Sequence, residues 1–207
     1  MTPVNGLRRA CLALGLVFFG LTAARPLLAQ RGALTRSRNL GELVSQSAVI
    51  LRGNVVSARA EPHPELTNLW TIVVTLRVRE VLKGDAGPTF TFRQFIWDIR
   101  DRYDTAGYRK GQELLLLMNP TTRYGLSSPA GLEQGRFRIR RDRDGHELAM
   151  NGHGNADLFR HLQQQLKRQR IELAPQAAGL IQQHRSGPLP LDGLREMIQQ
   201  LRSVNLR

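Results

Sequence analysis

Apolar and polar residues alternate most regularly along residues 69–84, LWTIVVTLRVREVLKG. The apolar positions recur with a period of two, which predicts a long central strand with one buried face and one face largely open to water. These positions are Ile72, Val74, Leu76 and Val78. After Glu80 the alternation slips, so we expect a bulge or the end of the strand there, followed by a turn.

Other segments carry strand patterns as well. Residues 48–61, AVILRGNVVSARAE, alternate around Gly53, and a glycine inside a strand indicates a bulge or a bend. Residues 89–97 predict a half-buried strand, whereas LLLLM at 114–118 is apolar on both faces, which is typical of a strand buried on both sides. The Asp-Gly pair at 144–145 stands between two alternating segments and predicts a hairpin turn.

Helical patterns flank this strand-rich region. Asn39 and Glu42 have the spacing of a capping box and predict a short helix that ends near Ser47. On the C-terminal side, residues 156–173 carry apolar residues at helical spacing, with Asn155 as the expected N-cap.

The last part of the chain predicts a linker and a second helix. Residues 174–190 are rich in Gln, Gly and Pro and predict a linker, with a single helical turn at 177–183 as an option within it. Residues 191–205 have the pattern of an amphipathic helix. The apolar face of this helix is formed by Leu194, Met197, Ile198 and Leu201. Because so short a helix is marginal in water, we expect this face to pack on the strands or on a partner.

Together these elements favour a mainly β fold with flanking helices, an α+β arrangement. Five or six strands with uneven loops predict a small OB-like β-barrel over residues 39–155, with residues 30–38 as a flexible lead-in.

The first 29 residues have the pattern of a secretory signal peptide. Two arginines at positions 8–9 precede an apolar run at 10–21, and small residues follow. We expect cleavage after Ala29, with Ala24 as the alternative. The apolar run is too short to span a membrane, so the sequence predicts an exported protein, periplasmic or secreted, without a membrane span.

Charge and cysteine content narrow the chemistry. The formal net charge of the 207-residue chain is +13, and cleavage after Ala29 removes three arginines and no acidic residue, which leaves +10. A basic protein attracts anionic neighbours such as nucleic acid, acidic lipid or acidic polysaccharide.

The single cysteine, Cys11, lies in the predicted leader. The mature chain therefore has no disulfides, cysteine nucleophile, zinc thiolate site or redox motif.

Four segments carry a resemblance to a known family: SQSAVILRGNVVSARA, TIVVTLRVREVLKG, LLLLMNP and RYGLSSPAGLEQGRFRI. With the leader, they resemble uncharacterised exported bacterial proteins whose OB-like barrel is similar to the tissue-inhibitor-of-metalloproteinases (netrin-like) fold, over about residues 39–155. Eukaryotic inhibitors of that fold hold the protease metal through an N-terminal cysteine and are rich in disulfides. The resemblance implies the fold here, while the missing cysteine argues against that inhibitory chemistry.

Three histidines fall within one short stretch: His146, His153 and His161. Imidazole is a common metal ligand, but this spacing matches no metal motif, so we predict no metal and no cofactor.

A serine hydrolase site is the other catalytic arrangement to weigh. Ser127 and Ser128 could be combined with His63 and with Asp98 or Asp104. The G-x-S-x-G elbow that exposes such a serine is absent, and we predict that the protein is not an enzyme.

Basic and aromatic residues are interleaved at 92–110 and at 136–141. The candidate binding residues are Trp97, Arg100, Arg102, Tyr103, Tyr108, Tyr124, Arg136 and Arg138. The first hypothesis is a non-catalytic interaction module whose loops at 98–113 and 121–135 bind a protein partner, conceivably an exported protease. The alternative is binding of a polyanion or single-stranded nucleic acid through arginines and stacked aromatic rings. The sequence does not indicate an oligomeric state.

Overall fold

The computed structural model describes residues 36–202, which belong to one compact unit. The predicted signal peptide and most of the predicted lead-in lie outside this range. The strands are β1 (Val49–Pro62), β2 (Trp70–Lys83), β3 (Thr89–Phe95), β4 (Glu113–Met118), β5 (Arg136–Arg141), β6 (Glu147–Asn151) and β7 (Leu189–Pro190). The α-helices are α1 (Leu40–Gln46), α2 (Asp101–Asp104), α3 (Leu162–Arg168), α4 (Pro175–Gln183) and α5 (Leu191–Arg202).

The seven strands form one antiparallel sheet in the order β3-β2-β1-β4-β5-β6-β7. The prediction of a mainly β fold with flanking helices is confirmed. Among the described residues β3 and β7 stand at opposite edges, so the sheet is not closed into a barrel, and the predicted OB-like closure is not confirmed.

Strand β4 is buried on both faces, as the run LLLLM predicts, and so is the first half of its neighbour β1. Leu115 and Leu117 point into a helix-side core, which α1 and the three C-terminal helices complete. Leu114 and Leu116 point into a loop-side core, which includes β2, β3 and Tyr108. Alternate residues of one strand therefore hold two separate apolar clusters together.

The prediction for β2 is largely confirmed. Its alternating residues at 72, 74 and 76 are fully buried in the loop-side core. The register with β1 shifts opposite Val81 and Lys83, where a bulge is predicted, and again at Gly53. A Cβ on Gly53 would lie 2.6 Å from the main-chain oxygen of Arg77, so the close approach of the two strands requires glycine. The opposite face is drier than predicted, since Thr71 is buried as well.

The predicted capping box begins α1. The side chain of Asn39 accepts a hydrogen bond from the Glu42 amide at 3.0 Å, and the Glu42 carboxylate accepts one from the Asn39 amide at 3.0 Å. At the other end of the helix, Lys83 Nζ donates to the main-chain oxygen of Val44 at 2.7 Å. The helix is thereby tied to the end of β2.

The helix predicted over residues 156–173 is shorter in the structure, where α3 covers only seven residues. Asn155 is not its N-cap. Its side chain is buried and bonds to the main chain of Asn151, Ala149 and Gly187, with a left-handed φ of 57°. The hydrogen bonds of Asn155 hold the following residues in turns and delay the helix.

The linker predicted over residues 174–190 contains α4. Pro175 occupies the first turn of that helix, where proline is well tolerated because its missing N–H has no helical partner there. Ala177 and Ile181 of α4 are buried in the helix-side core. Burial of this face outweighs the polar composition on which the linker prediction was based.

The apolar face of α5 is used within the chain. Leu194, Met197 and Ile198 are fully buried, and Leu201 is 1% exposed. All four lie in the helix-side core, so this face is not available to a partner protein. The domain boundary predicted at residue 155 therefore cuts through a shared core.

We predict that Leu194→Ala lowers the free energy of unfolding by about 2–5 kcal/mol, because the truncation leaves a cavity in a closed core. The matched control is Leu66→Ala, a loop leucine that is 38% exposed, for which we expect a change within about 0.5 kcal/mol. Urea denaturation of the full chain measures both values. Equal effects of the two substitutions would contradict the docking of α5.

Candidate functional site

Large apolar side chains are exposed in one segment that begins with the last residue of β3. Phe95, Trp97, Ile99 and Tyr103 are 36%, 50%, 67% and 79% exposed. The rings of Phe95 and Trp97 meet edge to face with centroids 5.2 Å apart. We call residues 95–103 the aromatic segment. Exposed groups of this size within nine residues are typical of an interaction surface.

Local hydrogen bonds fix the middle of the aromatic segment. Asp98 accepts from the amide of Arg100 at 2.9 Å and forms an ion pair with the guanidinium of the same residue. The carboxylate of Asp101 accepts from the Asp98 amide at 3.3 Å and begins α2. Burial raises the pKa of Asp101, and it outweighs the backbone hydrogen bonds from Asp98 and Trp97 that lower it. The segment is therefore a folded turn.

Arg102 connects the aromatic segment to the sheet. Its guanidinium carbon lies 3.4 Å from the ring centroid of Trp70, the first residue of β2. A guanidinium stacked on indole is a favourable cation–π contact, worth about 0.5–2 kcal/mol. The contact leaves Tyr103 on the outside.

Three consecutive residues after α2 have left-handed backbones. Thr105, Ala106 and Gly107 have φ values of 54°, 52° and 74°. Only glycine adopts this region without strain, so the surroundings must hold Thr105 and Ala106 in place. The hydroxyl of Thr105 donates to the main-chain oxygen of Tyr108 at 2.7 Å, and Arg136 Nη1 donates to that of Ala106 at 2.7 Å.

Tyr108 inserts into the loop-side core directly after this turn. The side chain is 2% exposed, its hydroxyl donates to Gln94 Oε1 at 3.1 Å, and its ring meets that of Phe92 edge to face. Arg136 lies over the other side of the ring at 4.4 Å and is paired with Glu133. Burial raises the pKa of Tyr108 to about 12.

The structure separates the eight predicted binding residues. Tyr108 and Arg136 are buried together and support the loop from below. Trp97, Arg100 and Tyr103 are exposed on the aromatic segment, and Arg102 is half-buried against the sheet.

The two remaining predicted residues lie outside the aromatic segment, with Arg138 close to Arg136 and Gly107. Tyr124 is 41% exposed in the loop after β4, where the guanidinium of Arg123 stacks on its ring at 4.6 Å. Arg138 is half-buried on β5. The eight residues therefore do not form one binding surface.

The residues considered for a hydrolase do not assemble. His63 accepts hydrogen bonds at Nδ1 from the amides of Glu65 and Leu66, so its Nε2 carries the proton and donates to the Tyr124 main-chain oxygen at 2.8 Å. The hydroxyl of Ser127 donates to the main chain of Asn119. Both nitrogens of His63 thus join two loops, and the ring is not placed as a base for Ser127.

The three histidines do not gather around one point. Among the described residues, the ligand atoms that come within 4.8 Å of one another belong to Asp142, Asp144 and His146, in the exposed turn between β5 and β6. His153 and His161 lie outside that group.

Two grooves of about 510 and 410 Å³ lie beside α3 and share Asp157, Arg160 and His161 as lining residues. The three side chains contact one another: Arg160 lies 3.8 Å from the Asp157 carboxylate and donates to His161 Nε2 at 3.2 Å. Asp157 also accepts a hydrogen bond from the Ser37 hydroxyl at 3.2 Å.

Sequence reasoning missed several residues that shape the site. Gln94, Glu133 and Trp70 are the contact partners of Tyr108, Arg136 and Arg102. The i,i+3 spacing of Glu133 and Arg136 is a signal that could have predicted their pairing. Nothing in the local sequence indicates that Trp70 meets a residue 32 positions later.

Within residues 36–202, the structure contains no helix that is both long and apolar enough to cross a membrane. Comparisons with protein-family models, with curated proteins and with solved structures found no match to this chain.

We predict that Tyr108 makes the protein sensitive to alkaline pH. Its folded pKa of about 12 exceeds the usual value of 10, so the unfolded chain loses the phenolic proton first. The contribution of Tyr108 to the free energy of unfolding is therefore fully present below about pH 10. It is lost as pH rises towards 12, by up to about 3 kcal/mol.

Urea denaturation of the wild type and of Tyr108→Phe between about pH 9 and about pH 11.5 tests this. The phenylalanine variant should show the smaller loss, while Tyr124→Phe, a change at an exposed ring, should follow the wild type. Identical pH profiles for Tyr108→Phe and the wild type would show that the phenol is not held in the neutral form.

Proposed function

We propose that this protein is a non-catalytic, exported protein-binding module that uses the aromatic segment as its contact surface. The observation that carries the proposal is the exposure of Trp97, Ile99 and Tyr103 on a turn whose backbone is fixed from below. Tyr and Trp are the residue types that contribute most to binding at protein interfaces, and Lys and Glu are depleted there.

A fixed backbone favours binding, since a loop that is already ordered loses little conformational entropy when a partner docks. Two contacts support the order of this loop. Arg102 stacks on Trp70 within the aromatic segment, and Arg136 holds Ala106 just beyond it. The exposed rings of Trp97 and Tyr103 are thus carried on a backbone that is already ordered.

The alternative, polyanion binding through stacked aromatic rings and arginines, has less support at this surface. Arg100 is paired with Asp98, and Arg102 is occupied by Trp70. The exposed rings of Trp97 and Tyr103 therefore lie beside two arginines that already have partners within the chain. A partly apolar protein partner fits the segment better than a phosphate backbone does.

The proposed likeness to the netrin-like fold rests on the curl of the first four strands. These strands enclose the loop-side core, and Leu126, in the loop after β4, forms a single bridge with Arg93 at the edge of β3. One bridge brings the two ends of this half-sheet together as a small barrel would. Export is proposed from the leader pattern alone.

We predict that the triple variant Trp97→Ser, Ile99→Ser, Tyr103→Ser raises the dissociation constant for the protein partner by about 100-fold or more. The reason is that interface aromatic residues contribute about 2 kcal/mol each. The partner is first captured from an exported-protein extract with the mature chain, then purified and titrated by calorimetry. Melting temperature should stay close to that of the wild type.

The control is a second triple variant at exposed apolar positions elsewhere: Val56→Ser, Leu66→Ser and Val81→Ser. It should bind as the wild type does, and raising salt from about 50 to about 300 mM should change the affinity little. If salt abolishes binding while the aromatic variant retains it, the ligand is a polyanion and the proposal is wrong.

A further inference from the structure

Three arginines of β5 share one face of the sheet. Arg136, Arg138 and Arg140 alternate with Phe137 and Ile139, which point into the helix-side core. Successive side chains on one face of a strand are about 6.6 Å apart, so the three guanidinium groups lie side by side. Their face is the one covered further along the sheet by Tyr108.

Only the first of these arginines is neutralised. Arg136 uses Nε and Nη2 on the carboxylate of Glu133, at 3.2 and 2.7 Å, and Nη1 on Ala106. Within residues 36–202, the side chains of Arg138 and Arg140 make no hydrogen bond or ion pair. Glu133, whose negative charge acts on Arg138, is paired with Arg136.

The environment of Arg138 disfavours its own charge. Burial lowers the pKa of Arg138, and the neighbouring charges of Arg136, Arg140 and Arg109 lower it further, whereas Glu133 acts in the opposite sense. The positive charges around Arg138 thus outweigh the negative charge of Glu133. A half-buried cation among like charges is stabilised most directly by a bound anion.

The left-handed turn at 105–107 passes close to this cation. A Cβ built on Gly107 would lie 3.5 Å from Nη2 of Arg136 and 3.7 Å from Nη2 of Arg138. A methyl group at position 107 would therefore contact both guanidinium groups. The left-handed backbones of Thr105 and Ala106 lead directly into this glycine.

We infer that Arg138, with Arg140 next in line on the same face of β5 and Gly107 close to its guanidinium group, forms a binding site for an oxyanion. The planar guanidinium matches two oxygens of a phosphate or carboxylate group, which are the ligand chemistries that arginine binds with bidentate geometry. Arg136 positions the turn and adds to the positive potential, while Arg138 binds the oxyanion directly. The site does not depend on the aromatic segment as a protein-binding surface.

The test is an NMR titration of the folded mature protein with sodium phosphate and, separately, with sodium malonate, against sodium chloride at matched ionic strength. We expect saturable shifts of the Gly107, Arg138 and Arg140 amides with at least one oxyanion. If phosphate binds more tightly, the site favours phosphate groups; if malonate does, it favours carboxylates. Shifts that grow linearly, or that chloride reproduces, would overturn the inference.

Two pairs of variants separate a specific site from general charge. Arg138→Gln should weaken oxyanion binding by about tenfold or more, since about 1.4 kcal/mol of charge-assisted hydrogen bonding is lost. Arg143→Gln removes the same charge from the exposed β5–β6 turn and should leave the affinity unchanged. Equal losses in the two variants would show only non-specific attraction.

The glycine pair tests whether the ligand binds next to position 107. Gly107→Ala and Gly111→Ala both place a side chain on a left-handed backbone, with φ values of 74° and 83°, so their stability costs should be similar. Only the alanine at 107 meets the arginines, because a Cβ at 111 has nothing within 4 Å. Oxyanion binding should fall in Gly107→Ala alone; retention of full affinity in that variant would place the ligand elsewhere.

Discussion

The fold depends on the burial of both faces of its two central strands. In β4, neighbouring leucines such as Leu114 and Leu115 point into opposite cores, and the same holds for Ile50 and Leu51 in β1. A strand of this kind cannot be shifted by one residue without exchanging the contents of the two cores. The helices on one side and the loop with Tyr108 on the other are therefore placed by one shared register.

The loop-side core has a consequence for the surface above it. Tyr108 is inserted between Phe92 and Arg136, and a left-handed turn leads into it. This single anchor lies between two surfaces of different chemistry: the aromatic segment before the turn, and the unpaired arginines of β5 beside it. Tyr108 and Arg136, which are both buried, can thus position the two binding surfaces.

Local pattern predicts those parts of the fold that local interactions specify. The capping box of Asn39, the bulge at Gly53 and the hairpin at 144–145 are all present, since each is determined by residues a few positions apart. Composition is a weaker guide where tertiary burial overrides it. The polar segment 174–190 predicts a linker with one helical turn, whereas α4 covers nine residues and buries Ala177 and Ile181.

The candidate site was predictable only in part. The pattern of mixed arginine and aromatic residues marks the correct segments, yet it does not distinguish buried members from exposed ones. Arg136 and Arg138 are two residues apart and face the same way, but one is sealed by Glu133 and the other is not. That difference arises from a loop connection and from the turn at Gly107, which periodicity does not encode.

The most direct measurement of the central claim, a contact surface fixed by a buried anchor, is amide hydrogen exchange of the loop. The amides of Tyr103 and Tyr108 donate to the main-chain oxygens of Arg100 and Thr105. We predict that both exchange far more slowly than in an unfolded peptide and that Arg136→Gln removes this protection while the amide of Leu117 stays protected. Exchange at the unfolded rate in the wild type would show that the segment is mobile and contradict the account.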